Sequence, residues 1–367
     1  MDVALHYFRL NVRLYAVMKN KIMVLFAFSS ILCSVCLSTL SAQSQAQTIK
    51  LVSIAPARSP WDIEQKKLAQ EWLRISGGKI TMQFLNTNAM GGEGGVIQKM
   101  RATRPGTKSP VDGAIFTNIG MYELARSSGM LTFFAPLLFR SQAEVDYVLE
   151  QVMPQLQRAV KAEGYELLSC FSIGWVYFTT KELVDTPEKL KKNKMAMGGF
   201  SSPEFIAAMK IAGYSVENVS SDKIAQSIKS PGGADGVFSL PMYTYATKYY
   251  ESLKYILDIP VSPIFMSFIV SKAFWDTVPE NLKPQLLAAV RNTQKTFSTM
   301  QTQTDAQYIK LMEDAGLRRH KPNAQQMQQW EAGFAQDIQR ILPQNTVIDP
   351  ALYNRISSLL AEYRKSH

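Results

Sequence analysis

Apolar residues recur along this chain with two periods. Short runs rich in β-branched residues alternate with polar ones, and longer stretches repeat apolar residues every three to four positions. Residues 48–54 (TIKLVSI), 80–85, 111–116, 165–173, 194–197, 215–219, 236–238, 253–259 and 265–270 read as strands. Helices are predicted between most of them. Residues 60–76 form one, with Ser59 as N-cap, Asp62 at capping-box spacing and Gly77-Gly78 as the stop. A glycine-rich bend over 90–95 leads into a helix over 96–103, and 141–163 is a helix bent or split at Pro154. Further helices are expected at 203–212, 222–229 and 242–249, and a turn with a short helix at 184–193. The run 131–139 (LTFFAPLLF) belongs in a core.

From Pro279 to about Glu313 nothing interrupts a helical pattern beyond Pro284 in its first turns. Such a helix would reach ~50 Å at 1.5 Å per residue. That exceeds one small domain, so it is expected to brace two. Helices over 324–341 and 350–364 finish the chain. Strands alternating with helices imply an α/β protein with mostly parallel sheets. Two sheets and a brace imply two lobes with a cleft between them. The expected division is 47–170 with about 260–300 in lobe I, and 171–259 with about 301–367 in lobe II.

The organising stretch is 190–203, LKKNKMAMGGFSSP. It gives the end of a helix, a strand, the pair Gly198-Gly199, then Ser202 as N-cap and Pro203 at the first helical position. Ligands of α/β proteins gather where strand carboxyl ends meet helix starts. Taken alone, the stretch is equally an ordinary strand–turn–helix joint.

Composition narrows the chemistry. Of 367 residues, 46% are hydrophobic, an ordinary globular balance. The formal charge is +10; Arg9, Arg13, Lys19 and Lys21 against Asp2 leave +7 beyond residue 46. The densest basic group, Lys189, Lys191, Lys192 and Lys194, has no interleaved aromatics, unlike a nucleic-acid groove. The three histidines are His6, His320 and His367, and the cysteines are Cys33, Cys36 and Cys170. This scarcity argues against a His-based zinc site, a Cys–His nucleophile or a Ser–His–Asp triad. Cys170, in an apolar strand, is expected to be an inert buried thiol. The bend MGGEGG lacks the Lys and Ser/Thr of a phosphate loop. Glu93 within it reads as a helix-start charge.

Residues 22–40 form an apolar run after Lys19 and Lys21, followed by SAQSQAQT. Basic, apolar and small-residue segments in this order make residues 1–46 a secretory signal, cleaved after Ala46 or Ala42. Met18 gives a signal of normal length and is an alternative start. An uncleaved anchor and lipidation at Cys33 or Cys36 remain alternatives, although Leu32 and Val35 are poor residues before a lipidated cysteine.

A resemblance now adds to this reading. APARSPWD, MGGEGGVIQKMR, the VDGA strand, FFAPLLFRSQAEVD, GYELLSCFSIGWVYFTT, TPEKLKKNKMAM, SDKIAQSIKSPGGADG and PMYTYATKYYESLKYI follow one another in order over residues 48–340. The chain thereby resembles the dicarboxylate-binding (DctP-like) substrate-binding proteins of TRAP transporters. The resemblance implies a two-lobed periplasmic-binding-protein-like fold and no enzyme activity. It implies an exported periplasmic receptor that closes on a small molecule and delivers it to a TRAP-type membrane permease, with no cofactor. A periplasmic tetratricopeptide-repeat protein is a further partner that the resemblance allows.

The resemblance also implies three polar ligand contacts that are missing here. The arginine that clamps a carboxylate is replaced by Ala196, the basic residue after the Gly-aromatic pair by Val176, and the acidic and asparagine positions by Phe238 and Ser239. Alanine cannot replace an arginine fork. The expected ligand site comprises Met90, Asn118, Trp175, Val176, Tyr177, Ala196, Met197, Gly198, Phe200, Phe238, Ser239 and Tyr243. Trp175, Phe200 and Tyr243 serve equally well as core residues, and Met90 and Met197 as core filler. Lys194 is a candidate substitute cation. A carboxylate without its partner is costly to bury, so the expected ligand is neutral or hydrophobic. Two other classes compete: a scaffold that has lost ligand binding, and an exported hydrolase or lyase on the same fold. An apolar closed cavity would favour the receptor and a collapsed, filled cleft the scaffold; the lack of a nucleophile–base pair or metal cluster in the sequence stands against the enzyme.

Overall fold

The computed structural model describes residues 46–102, 110–197, 202–219, 221–344 and 347–367. The strands are β1 Gln47–Ser53, β2 Ile80–Asn86, β3 Gly113–Phe116, β4 Tyr165–Thr180, β5 Lys194–Ala196, β6 Ser215–Glu217, β7 Gly236–Ser239, β8 Tyr255–Leu257, β9 Ser262–Ser271 and β10 Arg318–His320. The helices are α1 Pro60–Ile75, α2 Gly92–Arg101, α3 Asn118–Leu124, α4 Gln142–Ala162, α5 Pro187–Lys192, α6 Pro203–Ile211, α7 Ile224–Lys229, α8 Pro241–Ala246, α9 Lys272–Thr277, α10 Lys283–Asp314, α11 Ala324–Ile341 and α12 Pro350–Ser366. The expected export signal lies outside the described residues, except for Ala46. None of the described helices is long and apolar enough to cross a membrane.

Local chemistry starts these helices as expected. Ser59 Oγ accepts the Asp62 N–H, and Pro60 occupies the first turn. The Asp62 carboxylate reaches back one residue further than a capping box requires, to the Arg58 N–H at 2.7 Å. Ser202 Oγ accepts the Phe205 N–H at the head of α6. Helix α4 runs through Pro154 as one element.

The sheet is mixed rather than mostly parallel. Its order is β2-β1-β3-β9-β4-β7-β5-β6, with β8 on β4 and β10 on β8. The β1–β3, β5–β6, β5–β7 and β8–β10 pairs are parallel. The β3–β9, β4–β9, β4–β7 and β4–β8 pairs are antiparallel. Alternation of strand and helix does not fix direction when β4 and β9 each serve two halves. Residues 165–176 of β4 pair with β9, and residues 177–180 pair with β7. The lobe boundary expected at 170/171 therefore falls inside one strand.

Strand β4 also extends seven residues beyond its expected end at Ile173. Gly174 does not stop it; the register slips between Ser172 and Gly174 instead, as a bulge. Gly174 has φ +153, and a Cβ there would stand 2.8 Å from Leu240 Cδ2 and 3.1 Å from Asp305 Oδ1. Helix α2 begins at Gly92, four residues before its expected start, so the glycine-rich bend is shorter. Met90 ends a 3-10 turn, and Gly95 packs so closely that a Cβ would meet Met90 O at 2.2 Å. Helices α3 and α9 and strand β10 were not expected, although Thr117 and Ser271 are N-caps of the two helices.

The core covers both faces of the sheet. Helix α10 packs on β4, on α1 and on α8, touching both halves as a brace should. Trp72 of α1 is fully buried and its Nε1–H donates to Leu286 O of α10 at 3.2 Å. The fold is two-lobed α/β, with β4 shared between the halves.

Candidate functional site

Strand register points to a candidate site. Phe116, at the end of β3, lies level with Ser267 of β9, and Ser267 lies level with Cys170 of β4. From the other half, Ser239 at the end of β7 pairs with Tyr177 of β4. Strand β3 runs with β4 and β7 runs against it. The carboxyl ends of the two sets therefore point at each other across residues 171–176, roughly 20 Å at ~3.3 Å per residue. This is where ligands sit in open α/β sheets.

The expected site residues divide between the two sheet faces. Phe178 and Phe238 are cross-strand partners with ring centroids 4.7 Å apart, so they share a face, and Val176 follows on that face by alternation. Tyr177 and Ser239 form the next pair and point to the other face, as does Trp175 by alternation. Ala196 pairs with Val237, so Ala196 lies on the Tyr177 side as well. The sequence expectation thus grouped side chains that the pleat separates.

Ala196 is fully buried in a small apolar packet of its own, with Ile224, Ile228, Ala234, Val237, Tyr249 and Leu253. Tyr243 and Val219 pack against its rim, and Tyr243 meets Tyr249 edge-on at 6.3 Å. Val219 and Tyr249 were missed by the sequence reading, since neither lies on a strand that pairs with β5. Ser239 Oγ is buried and has no hydrogen-bond partner, and the same holds for Thr244 Oγ1 one turn into α8. Met197 follows β5 and is buried. Gly198 and Phe200 lie outside the described residues. Lys194 turns away: its Nζ donates to Gly232 O at 2.6 Å.

On the β3 side, Asn118 is buried and engaged. Its Oδ1 accepts the Phe265 N–H at 2.7 Å and its Nδ2 donates to Pro263 O. Glu93 does more than open its own helix. Its carboxylate accepts from Thr117 N–H, Thr117 Oγ1–H and Gly120 N–H, holding the head of α3. Burial pushes its pKa up to about 7 against these three donors. A Cβ on Gly120 would come 2.7 Å from Glu93 Cδ, so the glycine admits the carboxylate.

At the bulge, the Trp175 N–H donates to Asp305 Oδ2 of α10. Burial raises the Asp305 pKa to about 7, and burial likewise raises that of Tyr177, with the Asp305 charge adding to it. Cys170 is buried, and its thiol is pushed up to about 12 by burial, as an inert thiol requires. Two contacts join the halves beside the cleft. Arg126, just after α3, reaches Glu204 of α6 at 2.6 Å, and Phe134 lies 5.1 Å from Phe205.

The fold has many solved counterparts. A TRAP periplasmic solute-binding protein from Ochrobactrum anthropi, with its C-terminus bound in the ligand-binding pocket, is 17% identical (TM-score 0.74; 89% of this chain, 98% of that one). One from Sulfurospirillum deleyianum with bound succinate is 18% identical (TM-score 0.72; 86% and 99%). The sugar acid binding protein of Advenella mimigardefordensis, in complex with galactonate, is 14% identical (TM-score 0.75; 87% and 99%). No match was found among curated proteins. Residues 51–345 match the bacterial extracellular solute-binding proteins, family 7. These are transport proteins, not enzymes, which removes the hydrolase reading. With the match spanning nearly all of the described fold, the chain belongs to family 7 of the bacterial extracellular solute-binding proteins, the DctP family.

Proposed function

We propose that this chain is an exported periplasmic receptor that binds a small neutral or apolar solute and hands it to a TRAP-type permease. The observation that carries the ligand class is the burial of Ala196 in an apolar packet, at the position where the family resemblance implies a guanidinium. Val176, at the second implied basic position, is also fully buried. A carboxylate brought here would lose its hydration without gaining a charged partner. The buried, unpartnered hydroxyl of Ser239 offers one hydrogen bond to a carbonyl or hydroxyl group. Lobes divided near residue 170/171 make β4 the hinge strand of closure.

Five of the solved relatives hold organic acids, succinate and galactonate among them, which weighs against a neutral ligand and makes an acid the competing class. A ligand-free scaffold is the second reading, favoured by the burial of Val176, Ala196 and Phe238. Native mass spectrometry of the purified protein, followed by solvent extraction, separates the three. A stoichiometric neutral or apolar molecule supports the proposal. A co-purifying carboxylate, or saturable binding of succinate or malate, overturns the ligand class. An empty protein that binds nothing from a panel of neutral solutes favours the scaffold.

A further inference from the structure

The face of the sheet opposite Ala196 covers a cavity of about 50 Å³. Phe178 and Phe238 form its floor. Phe205 and Met209 of α6, Phe334 of α11 and Phe134 of the segment before α4 form walls. Every side-chain polar group on the lining is already satisfied by protein. Ser262 Oγ donates to Phe134 O at 2.8 Å. Tyr214 Oη donates to Asp337 Oδ2 at 2.9 Å, and Lys191 pairs with the other oxygen of the same carboxylate. A water needs two to four polar partners to occupy such a space, and Ser262, Tyr214 and Asp337, each already bonded within the protein, are the only polar side chains on an otherwise apolar lining. An apolar lining of this kind favours a nonpolar guest over water.

We propose that this cavity is a second binding site, separate from the cleft, for a small uncharged apolar group. The alternation of β7 sets it apart: Phe238 lies on the floor, whereas Val237 and its partner Ala196 face the other way. Its walls join α6 to the segment carrying Leu131 and Phe134, which belong to opposite halves of the fold. A guest therefore ties the two halves together at their joint, whatever the cleft binds.

The test uses xenon as the probe on the full described chain, read by methyl-resolved NMR. Saturable shifts are expected at Leu131, Met209, Ile341 and Ile348, which line the cavity, and not at Ile224, Ile228 or Leu253 of the Ala196 packet. Ala208→Val adds volume at a buried lining position and should reduce the shifts at least fivefold. Val261→Ile does the same from the opposite wall and stands in if Ala208→Val fails to fold. Absence of saturable shifts in the unmodified chain overturns the proposal. So do equal shifts in a folded cavity-filling variant, because xenon would then sit elsewhere.

Discussion

Trp175 donates its backbone N–H to Asp305 Oδ2 across 3.0 Å, fixing the bulged middle of β4 to the long helix α10. Asp305 is 6% exposed, and burial raises its pKa to about 7. An acid whose folded pKa exceeds the unfolded value of ~3.9 holds its proton more tightly when folded. Its contribution to stability is complete below pH ~4 and lost as pH rises through about 7. The ceiling on that change is about 4 kcal/mol, from three pKa units at 1.36 kcal/mol each. Asp305→Asn keeps an acceptor for Trp175 and removes the titration. Urea unfolding from pH 4 to 8 should show the unmodified chain losing stability relative to Asp305→Asn. Parallel curves would mean that Asp305 does not titrate in this window.

Ala196→Arg restores the family's implied guanidinium to a fully buried apolar packet. An uncompensated charge there should cost at least about 3 kcal/mol, seen as a lower urea midpoint with no gain in succinate affinity. Unchanged stability with new succinate binding would show that the Ala196 side chain opens to the cleft.

The first stages of the fold were legible from the sequence, because caps and periodicity are local. Ser59, Ser202 and the 32-residue helix α10 are examples. Strand direction was not legible. A doubly buried strand reads as an apolar run whichever way its neighbours point, so the antiparallel role of β4 and β9 left no mark. Gly174-Trp175 looked like a strand end, but a glycine in a strand also marks a bulge. The candidate site was legible as a place on the strands and not as a surface. Ala196 and Phe238 stand close in any alignment, and only the Ala196–Val237 register sends them to opposite faces. Asn118 sits at the expected strand end, yet its amide serves the backbone of β9.

Helix α12 buries Leu352, Ile356 and Leu360 and is also tied to α4 by an ion pair. Arg364 Nε and Nη2 donate to the two oxygens of Glu144 at 2.6 and 2.8 Å, and Nη2 also donates to Leu138 O. Glu144 is 4% exposed. Arg364→Ala leaves that carboxylate without its cation and should cost about 1–3 kcal/mol. Hydrogen exchange should report faster opening of α12 than of β9. Uniform protection in the variant would mean that apolar packing alone holds the helix.

Arg126 and Glu204 bridge the two halves at the surface, with side chains 62% and 24% exposed. Such pairs couple by about 0.2–1 kcal/mol and weaken with salt. A double-mutant cycle with Arg126→Ala and Glu204→Ala should give a coupling in that range at low salt. A salt-independent coupling above it would mark a pair shielded from solvent.

Cys170 carries a thiol pushed up to about 12, against an ordinary value near 8.5. The folded chain should therefore resist iodoacetamide at pH 8, and urea should release one reactive thiol from the described chain. Rapid labelling without denaturant would mean that β4 opens locally.

The shared strand β4 has a consequence for synthesis. Cys170 waits for Ser267, 97 residues later in the chain, before their ladder can close. At ~5–20 residues per second, the ribosome takes roughly 5–20 s to supply that partner. For that interval the largely apolar, strand-forming residues 165–176, YELLSCFSIGWV, lack their β9 partner. The nascent chain is most exposed to aggregation there, and a holdase that shields residues 165–176 should matter more to its yield than one acting on any helix.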